Sequence, residues 1–293
     1  TDAGLALEEH MVIVTDPSSP LDKDARSLGL RVINADPDVG GRFSALSAFG
    51  LVPAALMGVD ISLLLDDAAE AARSFSAEPS AALDIATILY EMSEQAIAFY
   101  DAGSSVPGLS DWIEQLVAES TGKDQKGRIP VVIESAHSSV GGRVFTVAFS
   151  GGSADLIVEA PLGAQFILWE WVTALLSKAI GIDPFNQPNV TEAKERTGAL
   201  LANWSAQNPV ALTPSYETEF VQVFGDCTGS SLNEIAQNFL AQENYYFALM
   251  AYLHRGADDQ VTQLREIIAQ LTEKPTTFGW GPRFLHSTGQ FHK

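Results

Sequence analysis

Residues 128–160 read RIPVVIESAHSSVGGRVFTVAFSGGSADLIVEA. Three β-branched apolar runs, RIPVVIES (128–135), RVFTVAF (143–149) and ADLIVEA (154–160), are separated by polar or glycine-rich turns, which is the pattern of successive short strands. A sheet therefore begins here. Upstream, HMVIVTD (10–16) and LRVIN (30–34) read as buried parallel strands. Helical spacing starts at Ser44 and runs to about Gly58. Asp60, Ser80 or Glu78, and Ser110 are the expected caps of three further helices, so 44–121 reads as mostly helix. Downstream come an apolar helix over about 162–180, a turn at Pro188 with a helix behind it, and a helix opened by a Ser231/Glu234 capping box. YYFALMAYL (245–253) is strand-like, 259–272 helical and TTFGWG (276–281) strand-like. Strands alternating with helices imply an α/β fold with a parallel sheet covered on both faces.

The composition narrows the function classes. The chain has 293 residues, 46% of them apolar, with mean hydropathy near zero, enough for a sizeable core in one large domain or two ordinary ones. Seventeen basic residues against 37 acidic ones give a formal net charge of −20. That excess disfavours both nucleic-acid and anionic-membrane partners. Cys227, the sole cysteine, matches no zinc spacing and points to a reducing, cytoplasmic setting. No stretch has the length and apolarity of a membrane span or the order of a signal peptide. The first residue is Thr, and the opening TDAGLALEEHMVIVTD reads as starting inside a helix, as a piece of a longer protein would.

In open α/β folds ligands sit at the carboxyl ends of the strands, so polar loops there are the first candidates. Four segments qualify. GGRFS places Gly40, Gly41 and Arg42 directly before a helix, where the glycines would permit positive φ and close approach while the guanidinium offers a fixed fork of donors to an anion. EQLVAESTGKDQKG (114–127) puts Gln115 and Glu119 on one helical face, with Gly122 to end the helix and Lys123 and Lys126 nearby. DPFNQPNVTEAK carries Gln187 in a turn and Lys194 one to two turns into the next helix, and GPRFLHSTGQFHK (281–293) carries His286. Each also has a plainer reading. Arg42 fits a structural ion pair as well as a ligand clamp, and Glu119 and Lys194 fit solvated helix faces. His10 and His254 read as packed against the core, Glu170 as structurally paired, and SGGS (150–153) as a strand connection.

Taken together, VGGRFSALS, ESTGKDQKG, PFNQPNVTEAK and FLHSTGQFHK resemble the segments that carry the site in glucose-6-phosphate isomerases. The internal spacings agree, with Gln115 four before Glu119 and Gln187 seven before Lys194. The histidine segment follows the lysine segment, an order similar to the type also found fused to transaldolase. The resemblance implies a sugar-isomerase, three-layer α/β/α fold: 1–37 as the truncated end of a first such domain, 38–127 as a mainly helical connection, and 128–293 as a second domain. No glycine-serine loop with a Ser/Thr-rich partner, the family's phosphate cradle, precedes Gly40.

The resemblance also implies chemistry. Interconversion of glucose 6-phosphate and fructose 6-phosphate opens the sugar ring and moves a proton between C2 and C1 through a cis-enediol. Glu119 would shuttle that proton, His286 with Lys194 would serve the ring oxygen, and Arg42 would stabilise the enediolate. Gly41, Gln115 and Gln187 would hold the substrate, with no metal or organic cofactor, in a monomer or homodimer. A non-catalytic sugar-phosphate-binding module on the same fold is the alternative, and an unrelated α/β binding protein a third reading. Glu119 separates the first two, because a binding module has no need of a carbon base.

Overall fold

The computed structural model describes residues 4, 6–77, 80–94, 96–186, 188–205, 212–286 and 288–292, with backbone alone for 188–194, 203 and 286. In chain order the elements begin with α1 (Leu7–His10), β1 (Val12–Thr15), α2 (Pro20–Ser27), β2 (Arg31–Asn34) and a 3-10 turn at Gly41–Phe43. Next come α3 (Ala48–Leu56), α4 (Ile61–Phe75), α5 (Ala81–Glu91), β3 (Ala96–Tyr100), α6 (Leu109–Thr121) and the strands β4 (Ile129–Val132), β5 (Phe145–Ala148) and β6 (Leu156–Ile157). The chain continues through α7 (Leu162–Ala179), α8 (Pro188–Asn203), the hairpin β7 (Tyr216–Glu217) and β8 (Gln222–Val223), α9 (Leu232–Leu240) and β9 (Phe247–Ala251). It closes with α10 (Gln263–Thr272), β10 (Thr276–Trp280) and 3-10 turns at Arg283–His286 and Thr288–Gln290.

The main sheet is parallel, in the order β4-β3-β5-β6. Its centre is β3, AIAFY, buried at every residue. The reading of 44–121 as mostly helix holds through α3 to α6, but it missed this strand. The 38–127 segment thus supplies the middle strand of a sheet whose other strands lie beyond residue 128. β1 with β2 and β9 with β10 form separate parallel pairs, while β7 and β8 pair antiparallel. β1 and β2 are parallel as expected but only half-buried, so the expectation of buried strands holds in direction and not in depth.

The core forms where α7 packs across α4, α5 and α6. Trp169, fully buried, meets Phe99 of β3 edge-on with ring centroids 5.4 Å apart and donates from Nε1 to Gln165 Oε1 at 3.1 Å. Gln165 in turn donates to the Val158 carbonyl at 2.8 Å, so a buried amide joins the helix to the sheet edge. α7 approaches α4 closely because Gly163 has no Cβ; one there would collide with the Leu64 carbonyl.

Several local expectations change in detail. Asp60 and Ser80 cap α4 and α5 through side-chain oxygens as read. Ser110 is not a cap: α6 starts from left-handed Gly108, and the Asp101 carboxylate accepts from Ser110 N–H at 2.8 Å. Ser231 caps α9, but Glu234 reaches back to the Ser230 N–H and hydroxyl rather than to Ser231. His10 and His254 are exposed, not packed against the core. SGGS links β5 to β6 as expected.

Glu170 of α7 overturns its expected pairing. Its Oε1 is buried with no hydrogen-bond partner among the described residues, and burial pushes its carboxyl from 4.5 up to about 7. A raised folded-state value means that the native state holds more protons than the unfolded chain between about 4.5 and 7. Stability is therefore lost as pH rises through that window. We expect Glu170→Gln to gain roughly 1–3 kcal/mol over wild type between pH 4.5 and 8 in urea unfolding. Parallel pH curves for the two proteins would contradict this.

Candidate active site

The site is built on α6. This helix is the crossover between the parallel neighbours β3 and β4, so it runs back along the sheet and its C-terminal half lies toward the amino end of β4. Thr121 Oγ1 accepting from Arg128 N–H at 3.4 Å, one residue before β4, marks that end. Glu119 therefore sits toward the amino ends of these two strands, not at the carboxyl ends where the sequence reading looked first.

Gln115 and Glu119 share one half-buried face, and Gln115 Nε2 donates to Glu119 Oε2 at 3.2 Å. Beside them lies Arg42, carried by the Gly41–Phe43 turn and 3% exposed. Its Nε donates to Ser120 Oγ at 2.9 Å, and its Nη2 donates to the carbonyls of Pro184 and, at 3.1 Å, Asn186. Phe43 adds an aromatic contact to Phe185, 5.1 Å between centroids. Lys123, also buried, reaches the same turn and donates from Nζ to the Asp183 and Asn186 carbonyls and to Asn186 Oδ1 at 2.5, 2.9 and 2.9 Å. Three sequence-distant segments are thus tied at one point.

The electrostatics follow from crowding two cations into a partly dry space. Burial lowers the Arg42 guanidinium, with Glu119 and Asp183 opposing. Burial and the neighbouring Arg42 lower Lys123 to about 8, against the attraction of Asp183, Glu119 and Asp124. Glu119 thus acts on both cations at short range. Gly40 and Gly41 do not serve as the sequence suggested. Gly40 has φ −65°, neither residue has positive φ, and a Cβ at either would meet nothing within 4 Å. The glycines leave open space beside Arg42 rather than a backbone contact.

The remaining sequence candidates divide. Gln187 lies outside the described residues. Lys194 lies in α8, which starts directly after the 183–186 turn, and His286 ends the 3-10 turn after β10; their side chains are not among those described. The histidine-bearing segment does touch α6. Gln290 Nε2 donates to the Gly122 carbonyl at 3.5 Å, and Phe291 packs so closely on Gly122 that a Cβ there would come within 2.8 Å of its Cα. A 750 Å³ cavity opens beyond this helix end, lined by Lys123, Lys126, Arg128, Tyr245 and Tyr246 among others. Lys123 was legible only as a lysine near the motif, because its acceptors, two of them backbone oxygens, lie about 60 residues away in sequence.

The fold is an α/β one built on a parallel sheet, and it is shared with solved proteins. Its solved neighbours include a hypothetical protein from Thermus thermophilus (TM-score 0.60, 23% identity, covering 69% of this chain and 65% of that one) and a glucose-6-phosphate isomerase from Chlamydia trachomatis (TM-score 0.56, 18% identity, 69% and 54%). In sequence the chain is a relative of the glucose-6-phosphate isomerases. It is 35% identical over 176 residues to that of Carboxydothermus hydrogenoformans, covering 57% of this chain and 37% of the relative. It is 35% identical over 231 residues to that of Heliobacterium modesticaldum (56% and 52%), and 42% over 103 residues to that of Listeria monocytogenes (32% and 22%). The chain thus spans from about a fifth to about half of the length of the relatives it matches. No protein-family model matches it.

The lysine clamp makes a direct prediction. Lys123→Met removes the donor from three acceptors and is expected to cost about 1–3 kcal/mol. It should also raise hydrogen exchange of 183–186 several-fold. Lys126→Met, at an exposed side chain, should stay within about 0.5 kcal/mol of wild type. Equal effects of the two substitutions would contradict the clamp.

Proposed function

We propose that this chain carries the isomerising part of an enzyme that interconverts glucose 6-phosphate and fructose 6-phosphate. The observation that carries the reading is the meeting of Arg42, the Gln115–Glu119 pair and the 183–186 turn on one end of α6. The curated relatives bearing that activity support it.

In this reading the Glu119 carboxylate removes the proton from C2 of the open-chain aldose while O1 gains a proton, giving the cis-enediol. The same carboxyl then returns its proton to C1 as O2 loses one, and the ketose forms. Arg42 meets the negative charge on the enediolate oxygens; among the described residues its Nη1 makes no hydrogen bond, whereas Nε and Nη2 are engaged. His286 with Lys194 serves the ring oxygen, and Gly41, Gln115 and Gln187 line the substrate. A dianionic substrate approaches a chain of net charge −20, so the convergence of Arg42 and Lys123 supplies the local attraction that the whole molecule lacks. The reading extends to a cytoplasmic enzyme, monomeric or dimeric. In this reading a sugar-isomerase domain that includes β3 follows the end of a first domain.

Coupled measurement of glucose 6-phosphate formed from fructose 6-phosphate tests the proposal. Glu119→Gln should lower kcat by about 10²–10⁴-fold with sugar-phosphate binding retained. Turnover unchanged by the substitution would remove Glu119 from the chemistry. Binding of fructose 6-phosphate by calorimetry without turnover in wild type would instead favour the non-catalytic module.

A further inference from the structure

The segment after β10 is strung along α6 between two anchors. At one end Arg283 Nη1 donates to Glu114 Oε2 at 3.0 Å and lies 3.4 Å from Asp111 Oδ1, while Nη2 donates to the Asp111 carbonyl at 2.5 Å. Arg255 adds a looser contact to Asp111 at 3.6 Å. At the other end, Gln290 and Phe291 sit on Gly122. On an α-helix the two anchor levels, 111 and 122, are about 16 Å apart, and Gln115 and Glu119 lie between them. His286 lies between the same anchors in sequence.

We propose that Arg283 is a positioning residue: its fork, closed on Glu114 and Asp111, sets the turn carrying His286 in register with the Gln115–Glu119 stretch of α6. This rests on the isomerase reading for its catalytic consequence, though not for the clamp itself. Glu114 is 1% exposed, and a carboxylate so buried is costly without a partner, whereas well-packed apolar residues often replace such pairs without loss. The pair's distinctive contribution is therefore direction. A planar fork that holds a side-chain carboxylate and a backbone carbonyl on successive helix turns fixes both the rotation and the height of the segment it comes from, which a lysine ammonium does not.

The test compares wild type with Arg283→Lys and Glu114→Gln by hydrogen exchange and by steady-state isomerisation of fructose 6-phosphate. Arg283→Lys keeps the charge at a part-exposed site and guards against loss of folding. Exchange across 283–291 should quicken several-fold in both variants while the core strand β3 stays protected. The kcat should fall about 10–100-fold, with KM within about twofold. Unchanged exchange in 283–291 overturns the clamp whether or not the chain turns over substrate. Faster exchange with unchanged kcat overturns its role in positioning. A wild type without turnover defeats the isomerase reading, and the exchange result then decides the clamp by itself.

Discussion

The site depends on a buried guanidinium that is asked to face several ways at once. Arg42 bonds the Ser120 hydroxyl of α6 and the carbonyls of Pro184 and Asn186, so a turn near residue 42, a helix and a turn 142 residues further on share one cation. Removing it would take the donor from the Ser120 hydroxyl and the Pro184 carbonyl, each costing about 1–3 kcal/mol, while the Asn186 carbonyl keeps Lys123. Lys123 doubles the tie from just beyond the end of α6. Two cations so close repel each other, and the nearby carboxylates of Glu119 and Asp183 offset that repulsion. The Glu119 carboxylate is thereby part of what makes the cationic cluster tolerable.

α6 accordingly does more than cover the sheet. Its inner residues Ile113, Leu116 and Val117 pack the core, while Asp111, Glu114 and Ser120 make polar ties to other segments and Gln115 pairs with Glu119 along the same helix. Burial raises the Glu114 carboxyl to about 7 even with Arg283 beside it. Glu170 is raised to the same level by burial alone. Among the described residues these are the two carboxyls that burial raises to about 7.

Much of this was legible in the sequence, and what was not has physical reasons. The flanking strands, the long helices and most caps follow from periodicity and local hydrogen-bonding residues, which act over a few positions. β3 escaped because AIAFY is buried on both faces and so shows no alternation; a short continuous apolar run between helices reads as more helix. Ser110 looked like a cap because the true one is a left-handed glycine helped by Asp101, nine residues upstream. The Gln115–Glu119 pair was readable from helical spacing alone. The partners of Lys123 and Arg283 were not, since both reach oxygens at long sequence separation, three of them carbonyls that every residue possesses. The reason for which Gly40 and Gly41 drew attention, positive φ and close approach, is not borne out by the backbone.

In the proposed mechanism a sugar phosphate reacts on the Gln115–Glu119 face beside Arg42. The most direct measurement is a crystal structure of this chain with fructose 6-phosphate bound. The account predicts C1 and C2 within about 3.5 Å of the Glu119 carboxylate and the adjoining oxygens facing Arg42. Sugar density confined to the cavity beyond Gly122, away from Glu119 and Arg42, would contradict it.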